Sequence, residues 1–370
     1  MAYLTDEQVN QYLNDIDNYF EQGNMTEIFN TSKKLFDGTD GRKSYFLGCC
    51  YMNEWGTDYD LEKSIYYLNY AVKHRDCYEY ATYLLGIAYY RKSDYENAVP
   101  WFSASYEAGN KSAAAFMADS AAAIALNTWD MVRRCVLQDE ISQGVDVVKK
   151  FIAIAQRGYV TAANEAPDSM TSMFWCGFGR INLLLYNLST LGYLDLNIVT
   201  DNSFMTLLTE GAGMAAAKMD TDAHYKVFRQ GIAACDFMAS KGAVLVAEYF
   251  RAYLALLESE RHKSAEALFR AMWHMRRIGE LRGSCADAAD IAAALKDMDE
   301  KYAMLDRKYG SIVRSMISQG KRPFIAESYG EGLAPSVESC ANFMKVYQMP
   351  AGGSSPKPEK KGFFAKLFRK

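Results

Sequence analysis

The amino-acid sequence predicts an all-α protein in which antiparallel helical hairpins stack side by side into an α-solenoid. Apolar residues recur at spacings of three and four, which is the period of a helix with one buried face. Only 7 prolines occur in 370 residues, and five of them follow position 320, so the first 320 residues contain almost no helix breakers. The third observation is an internal repeat between residues 44 and 106.

The repeat consists of two patterns, each found twice. The segment LGCCY at 47–51 recurs as LGIAY at 85–89, 38 positions later. Residues of a second helix also recur, 34 positions apart: Ser64, Leu68 and Ala71, then Ala98, Phe102 and Ser105. The difference of four residues falls in the turn 53–60, so the helices define the repeat and the turn varies. Similarity at such a period predicts stacked hairpins, each unable to bury its apolar face alone.

The paired glycines of the repeat indicate close helix packing. Gly48 and Gly86 fall in the middle of predicted helices, where glycine costs about 1 kcal/mol relative to alanine. We therefore expect a partner helix to approach each glycine closely, and a leucine at position 86 to overpack the hairpin. Tyr51 and Tyr89, one turn further on, are expected to fill the space between hairpins.

The second unit, with its Leu-Gly pair and Tyr89, Ala98 and Phe102, resembles a tetratricopeptide repeat. The longer turn of the first unit, which carries Trp55 and Gly56, is more similar to the Sel1-like variant of that family. The two clear units cover about a sixth of the chain. Because these families are interaction scaffolds, the resemblance implies a binding protein and does not identify its partner.

The resemblance also implies a concave surface lined by the first helix of each unit. Aligned on Leu47 and Leu85, its positions are Arg42, Tyr45, Cys49 and Met52, then Tyr80, Tyr83, Ile87 and Tyr90. The four tyrosines are large and amphipathic, and they suit an extended or helical peptide. Alternatively, several of them are ordinary packing residues, since the protein has 26 tyrosines.

Five segments are predicted along the chain. They are a repeat region at 1–127, degenerate helical repeats at 128–320, an irregular segment with a short helix at 321–350, a flexible linker at 351–361 and a basic amphipathic tail at 362–370. A separate helical bundle is the alternative for 128–320. Its predicted helices are 129–137, 140–157, 169–190, 203–219, 222–240, 243–258, 261–279, 285–308 and 310–319.

Several helix ends carry recognisable signals. Thr5 with Gln8 predicts a capping box at the first helix, and Asn24 with Glu27 caps the next. Ser93 with Glu96 predicts a further capping box. Pro100 follows within the same helix, so we expect a kink or a later helix start there.

Charge and composition exclude several classes of protein. The net charge is −4, but residues 357–370 carry six cations and one acid, a net of +5, which leaves −9 on the body. Such an acidic body argues against nucleic-acid binding. The sequence shows no secretory signal, no run of about 18 apolar residues and no CxxC pair among its 8 cysteines, which indicates a cytoplasmic protein with reduced, mostly buried thiols. The expectation of a bacterial-type protein accompanies the resemblance to the Sel1-like and tetratricopeptide families.

The sequence shows no constellation of catalytic or metal-binding residues. The 4 histidines form no metal-binding pair, and no phosphate-binding loop or nucleophile elbow is present. We therefore expect no enzymatic activity, cofactor or metal. The most favoured function is a scaffold that binds protein or peptide partners, and the alternatives are a peptide-sensing regulator and, less favoured, a helical enzyme using residues 169–283.

A second candidate binding surface is a basic stripe beside Trp273. Lys263, Arg270, His274 and Arg277 recur near helical spacing, and they could receive an acidic peptide or a phosphate. Alternatively, the stripe faces solvent or the acidic helix predicted from 285, where each ion pair contributes little.

The C-terminal segment GFFAKLFRK is the clearest local signal outside the repeats. Four apolar side chains share one side of a short helix, with cations around them: Phe363, Phe364, Leu367 and Phe368, then Lys366 and Arg369. This pattern predicts weak, reversible attachment to an anionic membrane, or docking into a partner's groove or onto the solenoid. The alternative is a disordered, solubilising end.

The membrane hypothesis can be tested by liposome flotation. We expect the full chain to float with anionic liposomes and a chain truncated after Pro356 to remain in the soluble fraction, because truncation removes the four apolar residues and all six cations of residues 357–370. Neutral liposomes serve as the control. Equal recovery of the two proteins with anionic liposomes would exclude membrane attachment by the tail.

Overall fold

We describe a computed structural model that covers residues 5–35, 41–135, 138–191, 221–262, 265–285 and 288–320. Within these ranges the chain forms thirteen α-helices and one short 3₁₀ helix, without a strand. The all-α prediction is therefore confirmed for this part of the chain. The predicted helix 203–219 and everything after 320, including the linker and tail, lie outside the described residues.

The helices divide into two compact units, and the division follows Ser120, inside one helix. The first unit contains α1 (Asp6–Glu21), α2 (Met25–Lys34), α3 (Arg42–Asn53), α4 (Leu61–Ala71), α5 (Tyr78–Arg91), α6 (Tyr95–Glu107) and the start of α7 (Ala113–Val132). From α1 to α6 each helix packs against the next, and α3 also contacts α5. Hairpins that stack through their first helices are consistent with an α-solenoid.

The second unit contains the end of α7 and six further α-helices. They are α8 (Gln138–Glu165), α9 (Ser172–Leu191), α10 (Thr221–Ser240), α11 (Val244–His262), α12 (Ala265–Leu281) and α13 (Ala292–Ser318), with the 3₁₀ helix Pro167–Ser169 between α8 and α9. Successive helices again pack together from α8 to α13, and α9 also contacts α11. Helical hairpins therefore continue where the repeat can no longer be read in the sequence.

The two glycines of the repeat lie where their hairpins pack most closely. A Cβ atom added at Gly48 would lie 2.6 Å from Leu68 Cγ, and one at Gly86 would lie 2.6 Å from the ring of Phe102. Leu68 and Phe102 are fully buried and occupy equivalent positions 34 residues apart. The predicted close approach is confirmed in both hairpins.

Each of these hairpins also has one buried serine that joins its two helices. Ser64 Oγ donates a hydrogen bond of 2.8 Å to the carbonyl of Gly48. Ser105 Oγ donates one of 3.0 Å to the carbonyl of Glu79. Each buried hydroxyl thereby has a hydrogen-bond acceptor on the partner helix, as buried polar groups generally require.

The long turn between α3 and α4 packs back onto the first hairpin. Trp55 makes an edge-to-face contact with Phe20 of α1, with ring centroids 5.5 Å apart. Gly56 has φ +66, and its Cα lies so close to α2 that an added Cβ would come within 2.6 Å of Thr26 Cα. Tyr51 stacks on Tyr67 and contacts Phe29 of α2, so it lies between hairpins as predicted.

In the turns after α1 and α5, a residue with positive φ is followed directly by the N-cap of the next helix. This arrangement explains one wrong prediction. At the end of α1 the amide of Gly23 bonds the carbonyl of Phe20, and Asn24 then caps α2. Ser93 takes the place of that glycine after α5, with φ +59, so it cannot also cap α6. Asp94 is the cap instead and accepts the amide of Asn97. The predicted capping box at Thr5 is confirmed.

Several predicted helix boundaries are wrong, and in each case the helix is longer than expected. No separate helix covers 129–137, because α7 runs continuously to Val132. The predicted break between residues 258 and 261 lies inside α11, which continues to His262. The α13 helix passes through Gly310, and α6 begins at Tyr95 and passes through Pro100, which is exposed. Tertiary packing stabilises these helices across residues that disfavour them locally.

We expect Gly86→Ala to destabilise the protein by about 1–3 kcal/mol, because the added methyl group overlaps the buried ring of Phe102. This loss should exceed the gain of about 1 kcal/mol in helix propensity. Urea denaturation followed by circular dichroism would measure it.

The matched control is Gly279→Ala in α12. An added Cβ there meets no atom within 4 Å, so only the propensity gain of roughly 0.5–1 kcal/mol should remain. If both substitutions stabilised the protein, the close-approach interpretation would be wrong.

Candidate functional site

Three of the predicted concave positions on α3 lie in the core. Tyr45, Cys49 and Met52 are 3%, 4% and 1% exposed, and they pack with Leu68 and Cys77. Burial, followed by the neighbouring Cys49, raises the pKa of Tyr45 well above its usual value. These side chains therefore hold the hairpins together and leave no surface for a partner, which corrects the placement of Tyr45.

The tyrosines of α5 form a partly accessible surface. Tyr80, Tyr83 and Tyr90 are half-buried, and they recur at spacings of three and seven along one side of the helix. We call these three residues the α5 tyrosine face. Arg42, the remaining predicted position on α3, is also half-buried.

Neighbouring helices hold the rings of this face in place. Tyr83 makes edge-to-face contacts with Phe102 of α6 and Phe116 of α7, each with centroids 5.9 Å apart. Tyr90 contacts Phe116 at 5.7 Å, and its hydroxyl donates a hydrogen bond of 2.6 Å to Asp119. Burial and then this bond raise the pKa of Tyr90, so its phenol remains protonated. The face is thus a rigid aromatic surface.

The second unit contains a buried cluster of charged residues around Glu248 of α11. Glu248 is fully buried, and its Oε2 lies 2.7 Å from Nδ1 of His274 on α12. Its Oε1 accepts a hydrogen bond of 2.7 Å from Nη1 of Arg251 and lies 3.8 Å from Nη2 of Arg277. One carboxylate is therefore shared by three basic side chains.

The same cluster joins α10 to α11. Nη2 of Arg251 donates to Asp236 on α10 at 2.5 Å. Burial raises the pKa of Glu248, but the hydrogen bond with His274 and the charges of His274, Arg251 and Arg277 outweigh it, and the pKa of Glu248 falls below its usual value. Cys235 lies close by, and burial raises the pKa of its thiol to about 12, which makes it a poor nucleophile.

Arg270 of α12 is buried without a partner in the part of the chain that the structure describes. It is 7% exposed and lies one turn before His274. Its Nε atom is inaccessible to solvent and has no hydrogen-bond partner, and no ion pair with a described residue is formed. The residues of α12 that pack against α13 are Phe269 and Met272, beside Val313. Of the predicted basic stripe, Arg270 and His274 are thus interior, Arg277 is half-buried, and Lys263 lies outside the described residues.

The sequence analysis missed Glu248, Arg251 and Asp236. A signal existed for two of them, because Glu248 and Arg251 interrupt the otherwise apolar stretch 243–257 at a spacing of three. Charged residues inside so apolar a helix are seldom buried unless they are paired.

The arrangement can recognise charge, and it shows no catalytic constellation in the ranges described. The contact with Glu248 orients His274, but the nearest thiol is protonated, and no cluster of histidine, cysteine or acidic residues in the described chain could hold a metal ion. Elsewhere in the unit, Tyr186 donates a hydrogen bond of 2.9 Å to the buried Glu258.

None of the described helices combines the length and apolar character needed to cross a bilayer. The predicted membrane or partner contacts of the tail, at Phe363, Phe364, Lys366, Leu367, Phe368 and Arg369, lie outside the described residues.

Comparison of the chain with protein-family models, with curated proteins and with solved structures gives no match in any of the three. The helices and their contacts must therefore carry the functional argument.

We expect Glu248→Gln to destabilise the protein by about 3–5 kcal/mol, because it leaves three basic side chains around an uncharged amide in the interior. Glu280→Gln is the matched control, since Glu280 forms an exposed pair with Arg276 and should change stability by no more than about 1 kcal/mol. Urea denaturation at pH 7 would compare the two. A similar effect of both substitutions would argue against an important role for the buried cluster.

Lowering the pH should reduce the difference in folding stability between the wild type and the Glu248→Gln variant. The pKa of Glu248 is lower in the folded protein than in the unfolded chain, so its charge stabilises the fold above the unfolded pKa and this stabilisation is lost as pH falls through the folded pKa. The difference in stability between the two proteins should therefore shrink below about pH 4. A difference that grew on acidification would contradict this assignment.

Proposed function

We propose that the protein is a non-catalytic scaffold of the tetratricopeptide or Sel1-like kind, which binds a protein or peptide partner on its first unit. The observation that supports this most strongly is the repeated hairpin interior, in which Gly48 meets Leu68 and Gly86 meets Phe102. Proteins built from such stacked hairpins expose extended surfaces formed by one helix of each pair, and those surfaces bind partners.

The proposed binding surface is the α5 tyrosine face, with Arg42 at its border. The rings of Tyr83 and Tyr90 are held by Phe102, Phe116 and Asp119, so little conformational entropy of these two side chains is lost when a partner binds. Tyrosine offers an apolar ring and a polar hydroxyl together, which suits recognition of a peptide. Tyr45 is not part of this surface because it is buried.

The proposed setting is the cytoplasm, with the basic C-terminal tail providing a peripheral contact to an anionic membrane or to the partner. The tail has a net charge of +5, which favours contact with an anionic membrane. The body has a net charge of −9, which disfavours such contact. No cofactor or nucleic acid enters the proposal.

Site-specific photo-cross-linking tests the binding surface. We expect p-benzoylphenylalanine in place of Tyr80 to cross-link a discrete partner in cells of the source organism, because this residue is half-exposed on the proposed face. The same substitution at Tyr66 is the matched control, since Tyr66 is 73% exposed on α4 and lies outside the α5 tyrosine face. If position 66 cross-linked the same partner as strongly, or position 80 gave no adduct, the proposed surface would be wrong.

A second variant separates binding from folding. Tyr83→Phe keeps the ring between Phe102 and Phe116 and removes only the hydroxyl, so the fold should be retained. Combined with Tyr80→Ala, it should reduce recovery, by affinity purification without a cross-linker, of the partner that cross-linking identified, while the circular dichroism spectrum is unchanged. Full recovery from this folded variant would count against the α5 tyrosine face.

A further inference from the structure

We propose that Arg270, with His274 and Arg277, forms an oxyanion-binding site in the second unit, which takes a phosphate or carboxylate group. This site is independent of the partner surface proposed for the first unit.

The Arg270 side chain is almost entirely buried, and no described residue compensates its Nε–H group. The side chain is 7% exposed, and its Nε–H has neither solvent nor a hydrogen-bond acceptor. Arginine keeps its charge in proteins, so it cannot lower this cost by losing a proton. A buried ion of this kind is strongly unfavourable unless it is paired with an opposite charge.

The neighbouring carboxylates are already engaged. Glu248 is shared by Arg251, His274 and Arg277, and Asp236 is bound by Arg251. Among the described residues of the cluster and the stripe, Arg251, Arg270 and Arg277 outnumber Glu248 and Asp236 by one charge, even when His274 is neutral. An external anion at Arg270 would balance this charge.

The chemistry of the side chain identifies the class of ligand. An Nε–H and an adjacent Nη–H of a guanidinium point in parallel and match two oxygens of one phosphate or carboxylate group. His274 and Arg277 lie one and two turns beyond Arg270, on the same side of α12. Arg277 is half-buried, so this end of the stripe is open to solvent.

Isothermal titration calorimetry of the full chain tests the site with two probes. The protein is transferred to a buffer free of phosphate and carboxylate and titrated with inorganic phosphate or with acetate, against sodium chloride at equal ionic strength. We expect saturable binding of at least one oxyanion and none of chloride, and the tighter probe distinguishes a phosphate from a carboxylate ligand. Absence of binding by both oxyanions would overturn the proposal.

Variants of Arg270 show whether the binding occurs at this residue. Arg270→Met keeps much of the volume and removes the charge, so it should abolish binding and raise the melting temperature in anion-free buffer. Arg270→Lys keeps the charge but lacks the two parallel N–H groups of the guanidinium, so it should weaken binding by about tenfold or more. Arg314→Met is the matched control, because Arg314 pairs with Asp306 at the surface, and it should bind the oxyanion like the wild type.

The Arg270→Met variant can also contradict the proposal. If Arg270 were compensated within the chain, Arg270→Met would lower the melting temperature in anion-free buffer. That outcome, or oxyanion binding that Arg270→Met leaves unchanged, would overturn the assignment of this site.

Discussion

The packing of a large side chain against a glycine of the neighbouring helix is the constraint on which the described fold depends. In the first unit Leu68 fills the space beside Gly48, and Phe102 fills the space beside Gly86. The second unit uses the same arrangement, because an added Cβ at Gly179 of α9 would lie 2.1 Å from the ring of Phe250 on α11. Side chains in these places are buried, so the helix separation cannot adjust to a larger residue without loss of packing.

The two units combine this common packing with different functional surfaces. The α5 tyrosine face consists of aromatic rings that stay partly accessible while Phe116 and Asp119 hold them. In the second unit a network of charges is buried between α10, α11 and α12, around Glu248 and Arg251. The aromatic surface is the basis of the proposed peptide binding, whereas the buried Arg270 is the basis of the proposed anion site.

Much of the fold could be predicted from the sequence because glycine and capping residues act locally. Gly86 in the middle of a helix has a cost that only close packing offsets, and Thr5 with Gln8 forms its box within one turn. The orientation of a tyrosine is a tertiary property, so Tyr45 could not be distinguished from Tyr80 by spacing. Ser93 was wrongly predicted to cap α6. It has the left-handed conformation after the end of α5, and a serine in this conformation cannot be recognised from its residue type.

The long turn after α3 has a consequence for how the first unit unfolds. The α1–α2 hairpin has no Leu-Gly pair, and Trp55 and Gly56 supply contacts from the next hairpin to both of its helices. Fraying at the amino end must therefore break contacts made by the following hairpin, which couples the two in one cooperative transition. The long turn thus adds a thermodynamic link between neighbouring hairpins, and a shorter turn would weaken this coupling and leave only the direct packing of α2 against α3.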